Sequence, residues 1–380
     1  QLLHAGRYAM HPFAQSASAI KAPIARFAPS QMSTRQINNT IDAFAKSASL
    51  AVEAGYDGVE VMGSEGYLLN QFICKRTNNR YDEWGGCYEN RIRFPLEVVR
   101  AIRKAAGKKF IIIFRLSMLD LVEEGSTFDE VVMLAKELEK AGVTIINTGI
   151  GWHEARVPTI ATQVPRGAFT WVTEKVRPHI NVPIVTCNRI NTPEEAERIL
   201  SGGHADMVSM ARPFLADPHF VNKAEQNKSK LINTCIACNQ ACLDNVFKGK
   251  RASCLVNPLA CYETEIVVQP TFKHKNIAVV GAGPAGLACA TTLAERGHSV
   301  DLFERNDRIG GQFRLAMQIP GKEEFRETIR YFANRIDETG VKLHLETEAN
   351  YDLLNEYDEV VMASGVEPRK VNIEGIDCRL

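Results

Sequence analysis

Short apolar runs alternate with amphipathic stretches along the first part of the chain. Nearly continuous apolar runs are typical of parallel strands buried on both faces, and the stretches between most of them have helical periodicity. The runs that predict strands occupy residues 58–63, 110–117, 144–149, 183–188 and 206–211. This repeated strand-then-helix order predicts parallel strands with helices outside them, as in a (β/α)8 barrel or a doubly wound sheet.

The stretch "TPEEAERIL", residues 192–200, carries the clearest helix start. Thr192 is predicted to be the N-cap, Pro193 suits the first helical position, and Glu195 is placed to close a capping box. A helix is therefore expected between the last two predicted strands.

Polar residues lie at the carboxyl ends of several apolar runs. They are Arg115, Asn147, Asn188 and Arg212. Enzymes with a barrel fold place their chemistry at the carboxyl ends of the strands, so this placement favours the barrel over the doubly wound sheet.

The opening residues "QLLHAG" have the pattern of the end of a further strand. With that segment the pattern predicts six strands, whereas a closed barrel needs eight. The chain also begins without a methionine. We therefore expect a TIM barrel whose first two β/α units are missing from this chain.

The pattern changes after residues 255–276, which lack clear periodicity and are predicted to be a linker. A buried strand, 277–280, then leads into "GAGPAG", a helix and a second strand that ends on Glu304. Strand, glycines, helix, strand and acid follow in the order of a dinucleotide-binding fold. The glycines Gly281, Gly283 and Gly286 would let a pyrophosphate approach the helix N-terminus, and Glu304 would bind a ribose hydroxyl.

A second glycine pair lies in "RIGGQF", residues 308–313. This pair is typical of flavin-binding rather than nicotinamide-binding versions of the fold, so FAD is the preferred ligand. For the "GAGPAG" segment, the alternative is a glycine-rich turn with a purely structural role.

The composition of the chain argues against a nucleic-acid or membrane partner. Lys and Arg together number 45, and Asp and Glu together also number 45. The chain therefore has no net positive charge that would attract nucleic acid. No apolar run approaches the roughly 20 residues that span a bilayer, and no signal segment opens the chain. We therefore expect a soluble, cytoplasmic protein with no nucleic-acid and no membrane partner.

Four of the ten cysteines are clustered in the spacing C-x2-C-x3-C-x11-C. They are Cys235, Cys238, Cys242 and Cys254. Three thiolates on one loop and a fourth from beyond it suit an iron-sulfur cube, and we expect a 4Fe-4S cluster. The alternatives are structural zinc, which usually takes two separated C-x2-C pairs, and inert buried thiols. A one-electron carrier between two domains would imply a redox centre in each.

Several segments together carry a family resemblance over essentially the whole chain. They are "QLLHAGR", "MGSEGYLLNQF", "DEWGG", "ENR", "GIGWHEAR" and "CIACNQAC". The chain resembles the bacterial 2,4-dienoyl-CoA reductases, Old Yellow Enzyme-related flavoproteins that join an FMN barrel, a 4Fe-4S cluster and an FAD/NADPH module. The resemblance implies a barrel domain over 1–230, a cluster loop and linker over 231–275, and a Rossmann-like FAD domain over 276–380. It also implies that a complete member continues into an NADPH subdomain, whereas this chain stops at Leu380.

The resemblance implies FMN contacts in the barrel domain. Gln1 would lie at the flavin ring edge and Arg115 near N1, where a cation stabilises the reduced anionic ring. Arg189 and the Ala211–Arg212 pair would contact the phosphate, after the last two barrel strands. For Arg115 the alternative is a salt bridge that closes the barrel floor, and for Arg189 and Arg212 it is an ordinary surface position.

The resemblance also implies the catalytic and substrate-binding residues. Tyr67 would donate a proton to the α carbon, and His153 would act at the thioester end of the substrate. From the residues alone, a core tyrosine and a core histidine remain alternatives. Arg76 and Arg156 would be available for CoA phosphates. The implied substrate contacts are Arg76, Thr77, Asn78, Asn79, His153, Glu154, Ala155 and Arg156.

In the second domain the implied FAD contacts are Gly281, Gly283, Gly286, Glu304 and Gln312. The stretch "VVMASG", 360–365, resembles the strand whose end returns to FAD.

Three functions follow as hypotheses. The first is NADPH-dependent reduction of a 2,4-dienoyl-CoA to an enoyl-CoA in the β-oxidation of unsaturated fatty acids. Electrons would pass from NADPH through FAD, the 4Fe-4S cluster and FMN to the acyl-CoA, in a protein that is monomeric at full length. The second is a related flavin reductase acting on a 2-enoate, bile-acid-type or amine substrate. The third is a non-catalytic electron-transfer protein.

Overall fold

The structure is a computed structural model that describes residues 1–367, 369 and 373. The chain divides into two compact units, Gln1–Ala211 and Arg212–Leu380. The three-domain division expected from the sequence, with boundaries after residues 230 and 275, stays a prediction.

A five-stranded parallel sheet forms the centre of the first unit, in the order β3-β4-β5-β6-β7. An isolated parallel bridge joins Leu2 to Val61 at the free side of β3, as the opening segment predicted. A short parallel pair, β1 and β2, lies outside this sheet. The strands are β1 Gln15–Ser16, β2 Ser30–Gln31, β3 Gly58–Gly63, β4 Ile111–Leu119, β5 Ile145–Ile150, β6 Ile184–Thr186 and β7 Met207–Val208. All five strands predicted from the apolar runs are therefore confirmed, with shorter bounds for β6 and β7.

Helices follow the strands of this sheet, and the longest of them, α1, packs against α4. Helix α1 begins at a capping box in which Ser33 accepts the backbone N–H of Gln36. It buries Ile37, Phe44 and Ala48, which recur on one helical face. The helices are α1 Thr34–Glu53, α2 Leu68–Ile73, α3 Tyr88–Arg91, α4 Arg93–Ala106, α5 Phe128–Ala141, α6 Thr170–Val176 and α7 Pro193–Ser201.

Helix α7 starts as predicted, with one difference. Thr192 caps it by accepting the backbone N–H of Glu195, and Pro193 is its first residue. The Glu195 carboxylate does not close the reciprocal half of the capping box, because it forms an ion pair of 2.6 Å with Arg198.

Strand β4 shows how the sheet separates packing from chemistry. Ile112, Phe114 and Leu116 are fully buried in the hydrophobic core of the first unit. Arg115 alternates with them and therefore lies on the opposite face of the strand. Register places Arg115 beside Asn147 of β5, and Glu60 of β3 lies on the same face, so this face carries polar groups.

The second unit contains a four-stranded parallel sheet in the order β10-β9-β8-β11. Its strands are β8 Asn276–Val280, β9 Ser299–Phe303, β10 Lys342–His344 and β11 Glu359–Met362. Its helices are α8 Arg212–Ala216, α9 Phe220–Glu225, α10 Asn245–Phe247, α11 Pro284–Glu295, α12 Phe313–Ala316, α13 Arg326–Thr339 and α14 Tyr351–Leu354. The predicted order of strand, glycine turn, helix and strand is confirmed by β8, α11 and β9.

No helix within the described residues combines the length and the apolar character that crossing a membrane requires.

Candidate functional site

Tyr67 and His153 meet at the carboxyl ends of the barrel strands. Tyr67 lies in the turn after β3, directly before α2, and His153 follows β5. The phenol oxygen of Tyr67 and Nε2 of His153 are 2.8 Å apart, and the two rings meet edge to face. Tyr8 packs against both rings with centroids 5.9 and 5.7 Å away. The two predicted catalytic side chains therefore form one hydrogen-bonded pair.

The surroundings of this pair hold both side chains neutral near pH 7. Burial, with the nearby Glu65 carboxylate, raises the pKa of Tyr67, and the Arg115 charge offsets part of that rise. Partial burial lowers the pKa of His153. Tyr67 is therefore a protonated donor that can release its proton only to a strong base.

Arg115 lies beside the pair and is held by Glu65. Glu65 accepts hydrogen bonds from Arg115 at 2.8 and 3.1 Å, and both side chains are partly buried. Burial would lower the pKa of Arg115, but the neighbouring Cys187 and Glu65 raise it above its usual value. The guanidinium stays charged, as a group that stabilises a reduced anionic flavin must be.

Glu60 connects two further polar groups on the same face of the sheet. It accepts Nε2 of Gln1 at 2.7 Å and Nδ2 of Asn147 at 2.6 Å. An arginine and two carboxamides on one sheet face fit the polar edge of a flavin ring in chemical type. Gln1 and Arg115 therefore lie on the face expected of flavin contacts, although their contact with FMN stays a prediction.

The residues predicted at the FMN phosphate lie in different units. Arg189 is buried in the first unit, in a left-handed backbone conformation, and its Nε donates to the carbonyl of Val164 at 2.7 Å. Ala211 ends the first unit, and Arg212 opens the second as the first residue of α8. Arg212 donates to Asn239 Oδ1 at 2.5 Å. Their phosphate-binding roles remain predictions.

Glu154 is the centre of a buried charge cluster next to His153. Its carboxylate is 2% exposed and accepts hydrogen bonds from Arg7 at 2.5 Å, Arg76 at 3.0 Å and Tyr8 at 3.1 Å. Arg7 is equally buried, whereas Arg76 keeps 28% of its side chain exposed. Arg76 is thus the member of this cluster that can reach a solvent-borne substrate, and Glu154 holds it in place.

The other predicted substrate contacts differ in accessibility. Thr77 is fully buried and donates to the carbonyl of Gln71, and buried Asn78 donates to the carbonyls of Phe72 and Trp84. These two side chains shape the loop. Asn79 and Arg156 are exposed and Ala155 is half-buried, so their side chains can be reached from solvent.

The glycine turn of the second unit has the close backbone approach that its motif predicts. A Cβ on Gly281 would meet the carbonyl oxygen of Ala363 at 2.5 Å, and one on Gly286 would meet that of Gly281 at 1.8 Å. A Cβ on Gly283 would have no heavy atom nearer than 4.0 Å. Two glycines are thus needed for packing, and Gly283 leaves open space at the start of α11, as a pyrophosphate requires.

Glu304 and Gln312 lie near this turn with internal partners. The buried Glu304 carboxylate accepts the backbone N–H of Ala282 and of Asn306, both at 2.9 Å. Gln312 donates to the carbonyl of Val366 at 3.0 Å. Glu304 follows β9 beside the glycine turn, where an acid that binds a ribose would lie. The FAD contacts of both side chains remain predictions.

The four clustered cysteines line one cavity in the second unit. Backbone N–H groups point at their sulfurs, from Gln240 to Cys238 and from Val256 and Asn257 to Cys254. Burial, partly offset by these N–H groups, raises the pKa of Cys254 to about 11. Within the described residues no three His, Cys, Asp or Glu side chains are arranged to hold a single metal ion.

Sequence reasoning missed several residues of this site. Glu65 lies in the motif "SEGYL" but was given no role, and its left-handed backbone, φ 60°, was not foreseen. Arg7 and Tyr8 follow the opening strand, where polar residues are expected to face the site. Asp120 is the polar residue at the end of the "RLSMLD" stretch, directly after an apolar run, and this position could have indicated that it belongs to the site.

The profile of the NADH:flavin oxidoreductase / NADH oxidase family matches residues 1–230. The profile of an NAD(P)-binding Rossmann-like domain matches residues 279–339. The predicted fold class, a TIM barrel followed by a Rossmann-like domain, is confirmed.

Three relatives show how far the similarity extends. A "Metal reductase" of Desulforamulus reducens is 39% identical, over 97% of this chain and 57% of its own length. An "NADH oxidase" of Thermoanaerobacter brockii is 36% identical, over 92% of this chain and 54% of its own length. The solved structure of a 2-naphthoyl-CoA reductase in complex with 2-naphthoyl-CoA is 35% identical with a TM-score of 0.95, covering 100% of this chain and 61% of that one.

The chain thus spans little more than half the length of the curated relatives it matches. The family match covers more than half of this chain and includes both Tyr67 and His153. The chain therefore belongs to the NADH:flavin oxidoreductase / NADH oxidase family and carries an NAD(P)-binding Rossmann-like domain after its barrel.

Proposed function

We propose that the protein reduces the conjugated double bonds of an acyl-CoA thioester, with a 2,4-dienoyl-CoA as the favoured substrate and NADPH as the electron source. The observation that carries the proposal is the 2.8 Å contact between Tyr67 and His153 beside the charged Arg115. Reduction of a conjugated carbonyl compound needs a proton donor, and a cation such as Arg115 stabilises the reduced flavin that supplies the hydride.

When bound, FMN would supply the hydride to the substrate, and FAD and a 4Fe-4S cluster would pass electrons from NADPH to FMN. Gln1 and Arg115 would hold the flavin ring in the barrel. Arg189 and the Ala211–Arg212 pair are proposed at the phosphate. In the Rossmann-like domain Gly281, Gly283, Gly286, Glu304 and Gln312 are proposed to hold FAD.

Tyr67 completes the reaction by moving one proton. Addition of hydride at the far carbon of a dienoyl thioester leaves a dienolate, and the α carbon then takes the phenol proton of Tyr67. The Tyr67 phenolate must be reprotonated before the next turnover, and His153 at 2.8 Å lies on a short route from solvent. His153 also lies where it can donate to the thioester carbonyl oxygen.

The residues around Glu154 support a CoA thioester rather than a small free acid. Arg76 is paired to Glu154 through Nε, and 28% of its side chain is exposed to solvent, where an anion can approach it. Arg156 is exposed on the same loop as His153. Two arginines at the rim match the phosphates of CoA, and the solved relative named above carries a CoA thioester.

The four cysteines are proposed to hold a 4Fe-4S cluster. The support is their shared cavity together with backbone N–H groups aimed at the sulfurs of Cys238 and Cys254. Each thiolate of a cube binds a different iron, so the sulfurs lie farther apart than the ligands of one ion.

The sequence similarity to a metal reductase and an NADH oxidase favours a second candidate function, the transfer of electrons to a metal ion or to oxygen. Reduction of a metal ion or of oxygen does not protonate a carbon atom. The second candidate therefore does not explain why a proton donor, Tyr67, lies in the site.

An anaerobic single-turnover experiment separates the candidates. The flavin-loaded protein is reduced with NADPH and mixed with a 2,4-dienoyl-CoA, the matching free dienoic acid or a ferric chelate. We expect the dienoyl-CoA to reoxidise the flavin fastest. If the ferric chelate reoxidises the flavin and the dienoyl-CoA does not, the acyl-CoA assignment is wrong.

A further inference from the structure

Asp120 is a buried carboxylate that accepts hydrogen bonds from the segments that carry Tyr67 and His153. It directly follows β4 and is 3% exposed. Five neutral donors bond to its two oxygens. Oδ1 accepts Ser117 Oγ at 2.6 Å, Trp152 Nε1 at 2.6 Å and Asn70 Nδ2 at 3.3 Å, and Oδ2 accepts the Ser126 backbone N–H at 2.7 Å and Cys74 Sγ at 3.3 Å.

One of these donors connects Asp120 to Tyr67. Asn70 lies in α2 and donates through Nδ2 to Asp120. Its Oδ1 accepts the backbone N–H of Gly66 at 2.9 Å. Gly66 immediately precedes Tyr67, so Asn70 fixes the turn from which the phenol projects.

A second donor connects Asp120 to His153. Trp152 precedes His153, its indole N–H bonds to the Asp120 side chain, and its backbone N–H bonds to the Asp120 carbonyl at 3.0 Å. The Trp152 ring also packs on the Gly66 backbone, because a Cβ there would be only 2.8 Å from it. The turns after β3 and β5 are therefore tied to one carboxylate after β4.

We propose that Asp120 is a positioning residue that holds Tyr67 and His153 at hydrogen-bonding distance for proton transfer. This inference rests on the function proposed above. The role requires a carboxylate because both of its oxygens accept hydrogen bonds and all five of its partners donate. An asparagine of the same size would turn an N–H2 group toward a donor and leave at least one buried donor unpaired.

A double-mutant cycle between Asp120→Asn and Tyr67→Phe tests the proposal. The rate measured is reoxidation of the chemically reduced, flavin-loaded protein by a 2,4-dienoyl-CoA in single turnover. Alone, Asp120→Asn should lower that rate about tenfold or more, since misplacing a reacting group by about 1 Å can cost 10²-fold. In the Tyr67→Phe background it should change the rate by less than about twofold, because the proton donor is already absent.

Two further variants keep the test decisive. Asp206→Asn is the control for a change of the same type away from the site, since Asp206 accepts the Ile184 backbone N–H and pairs with Arg177 at the amino ends of β6 and β7. It should leave the rate unchanged. Trp152→Phe removes a single donor to Asp120. It should lower the rate on its own and leave the rate nearly unchanged in the Tyr67→Phe background. The test therefore holds even if Asp120→Asn does not fold.

The outcomes separate this inference from the proposed function. If Tyr67→Phe is slow but Asp120→Asn and Trp152→Phe lower the rate equally in both backgrounds, or not at all, Asp120 is not a positioning residue. If Tyr67→Phe itself leaves the rate unchanged, the proposed function fails and the role of Asp120 fails with it.

Discussion

The phenol oxygen of Tyr67 lies 2.8 Å from Nε2 of His153, although 86 positions separate the two residues in the chain. The contact arises because parallel strands bring their carboxyl ends to one edge of the sheet. Tyr67 follows β3 and His153 follows β5, while Asp120 follows β4 between them. The pair is thus a direct product of sheet order.

The pH dependence of substrate reduction should be flat over a wide range. Burial raises the pKa of Tyr67, so the phenol stays protonated up to about its ordinary value of 10 and beyond. Partial burial lowers the pKa of His153, so the imidazole stays neutral down to about 6.5 and below. Single-turnover rates with a 2,4-dienoyl-CoA should therefore be constant between about pH 6.5 and 9.5. An inflection inside that window would contradict this assignment of protonation states.

Replacing Gly66 by alanine should both destabilise the barrel and slow substrate reduction. Gly66 has φ +81°, and a Cβ there would lie 2.4 Å from the Tyr8 hydroxyl and 2.8 Å from the Trp152 ring. Gly55 is the matched control, since it has φ +82° with nothing within 4 Å of its Cβ position.

Gly55→Ala should cost about 1–2 kcal/mol from the left-handed backbone. Gly66→Ala should cost about 1–3 kcal/mol more from overpacking. The 3 tryptophans, Trp84, Trp152 and Trp171, all lie in the barrel unit, so their fluorescence reports its unfolding. Equal losses in the two variants would show that the turn tolerates the extra atom.

Replacing Glu154 by alanine should destabilise the barrel strongly. The change leaves the Arg7 guanidinium, 2% exposed, without its carboxylate partner. Breaking a buried pair from one side costs about 3–5 kcal/mol. Glu154→Gln keeps one acceptor oxygen and should lose less.

Glu137→Ala removes a solvent-exposed ion pair with Lys140 and serves as the control. It should change the unfolding free energy by less than about 1 kcal/mol. Tryptophan fluorescence during denaturation measures all three variants, and a loss for Glu154→Ala no larger than that of the control would rule out a stabilising role for the charge cluster.

Replacing Cys238 by alanine should remove the iron and sulfide of the purified protein and its visible cluster absorption. Losing one corner usually destroys a cube or changes its potential. Cys261→Ala, which changes an exposed free cysteine outside the spacing motif, should leave the iron content unchanged. Zinc in place of iron in the parent protein, or full iron content in Cys238→Ala, would refute the cluster assignment.

Much of the fold could be predicted from the sequence because burial on both strand faces leaves a continuous apolar run. Strand β3 was predicted with its exact bounds, 58–63. Helix α7 was predicted from its cap, but the position of the Glu195 side chain was not, since a nearby Arg198 competes for the carboxylate. Local rules fix the backbone here and leave the choice between two polar partners open.

The candidate site was only partly predictable. Tyr67 and His153 were identified through motif resemblance, and the structure brings them together. Glu154 and Asp120 gather partners from as far as 147 and 50 positions away, respectively. Such contacts leave no periodic pattern in the sequence, because each depends on which loops meet once the sheet has formed. The sequence could indicate only that polar residues end these strands.

Single-turnover reoxidation of the reduced flavin in Tyr67→Phe tests the central claim most directly. The variant removes one hydroxyl, so reduction of the flavin-loaded protein by NADPH and its reoxidation by oxygen should match the parent. Reoxidation by a 2,4-dienoyl-CoA should fall about 10²-fold, the usual scale for a positioned proton donor. A dienoyl-CoA rate within about twofold of the parent would show that Tyr67 is not the proton donor and would contradict the proposed mechanism.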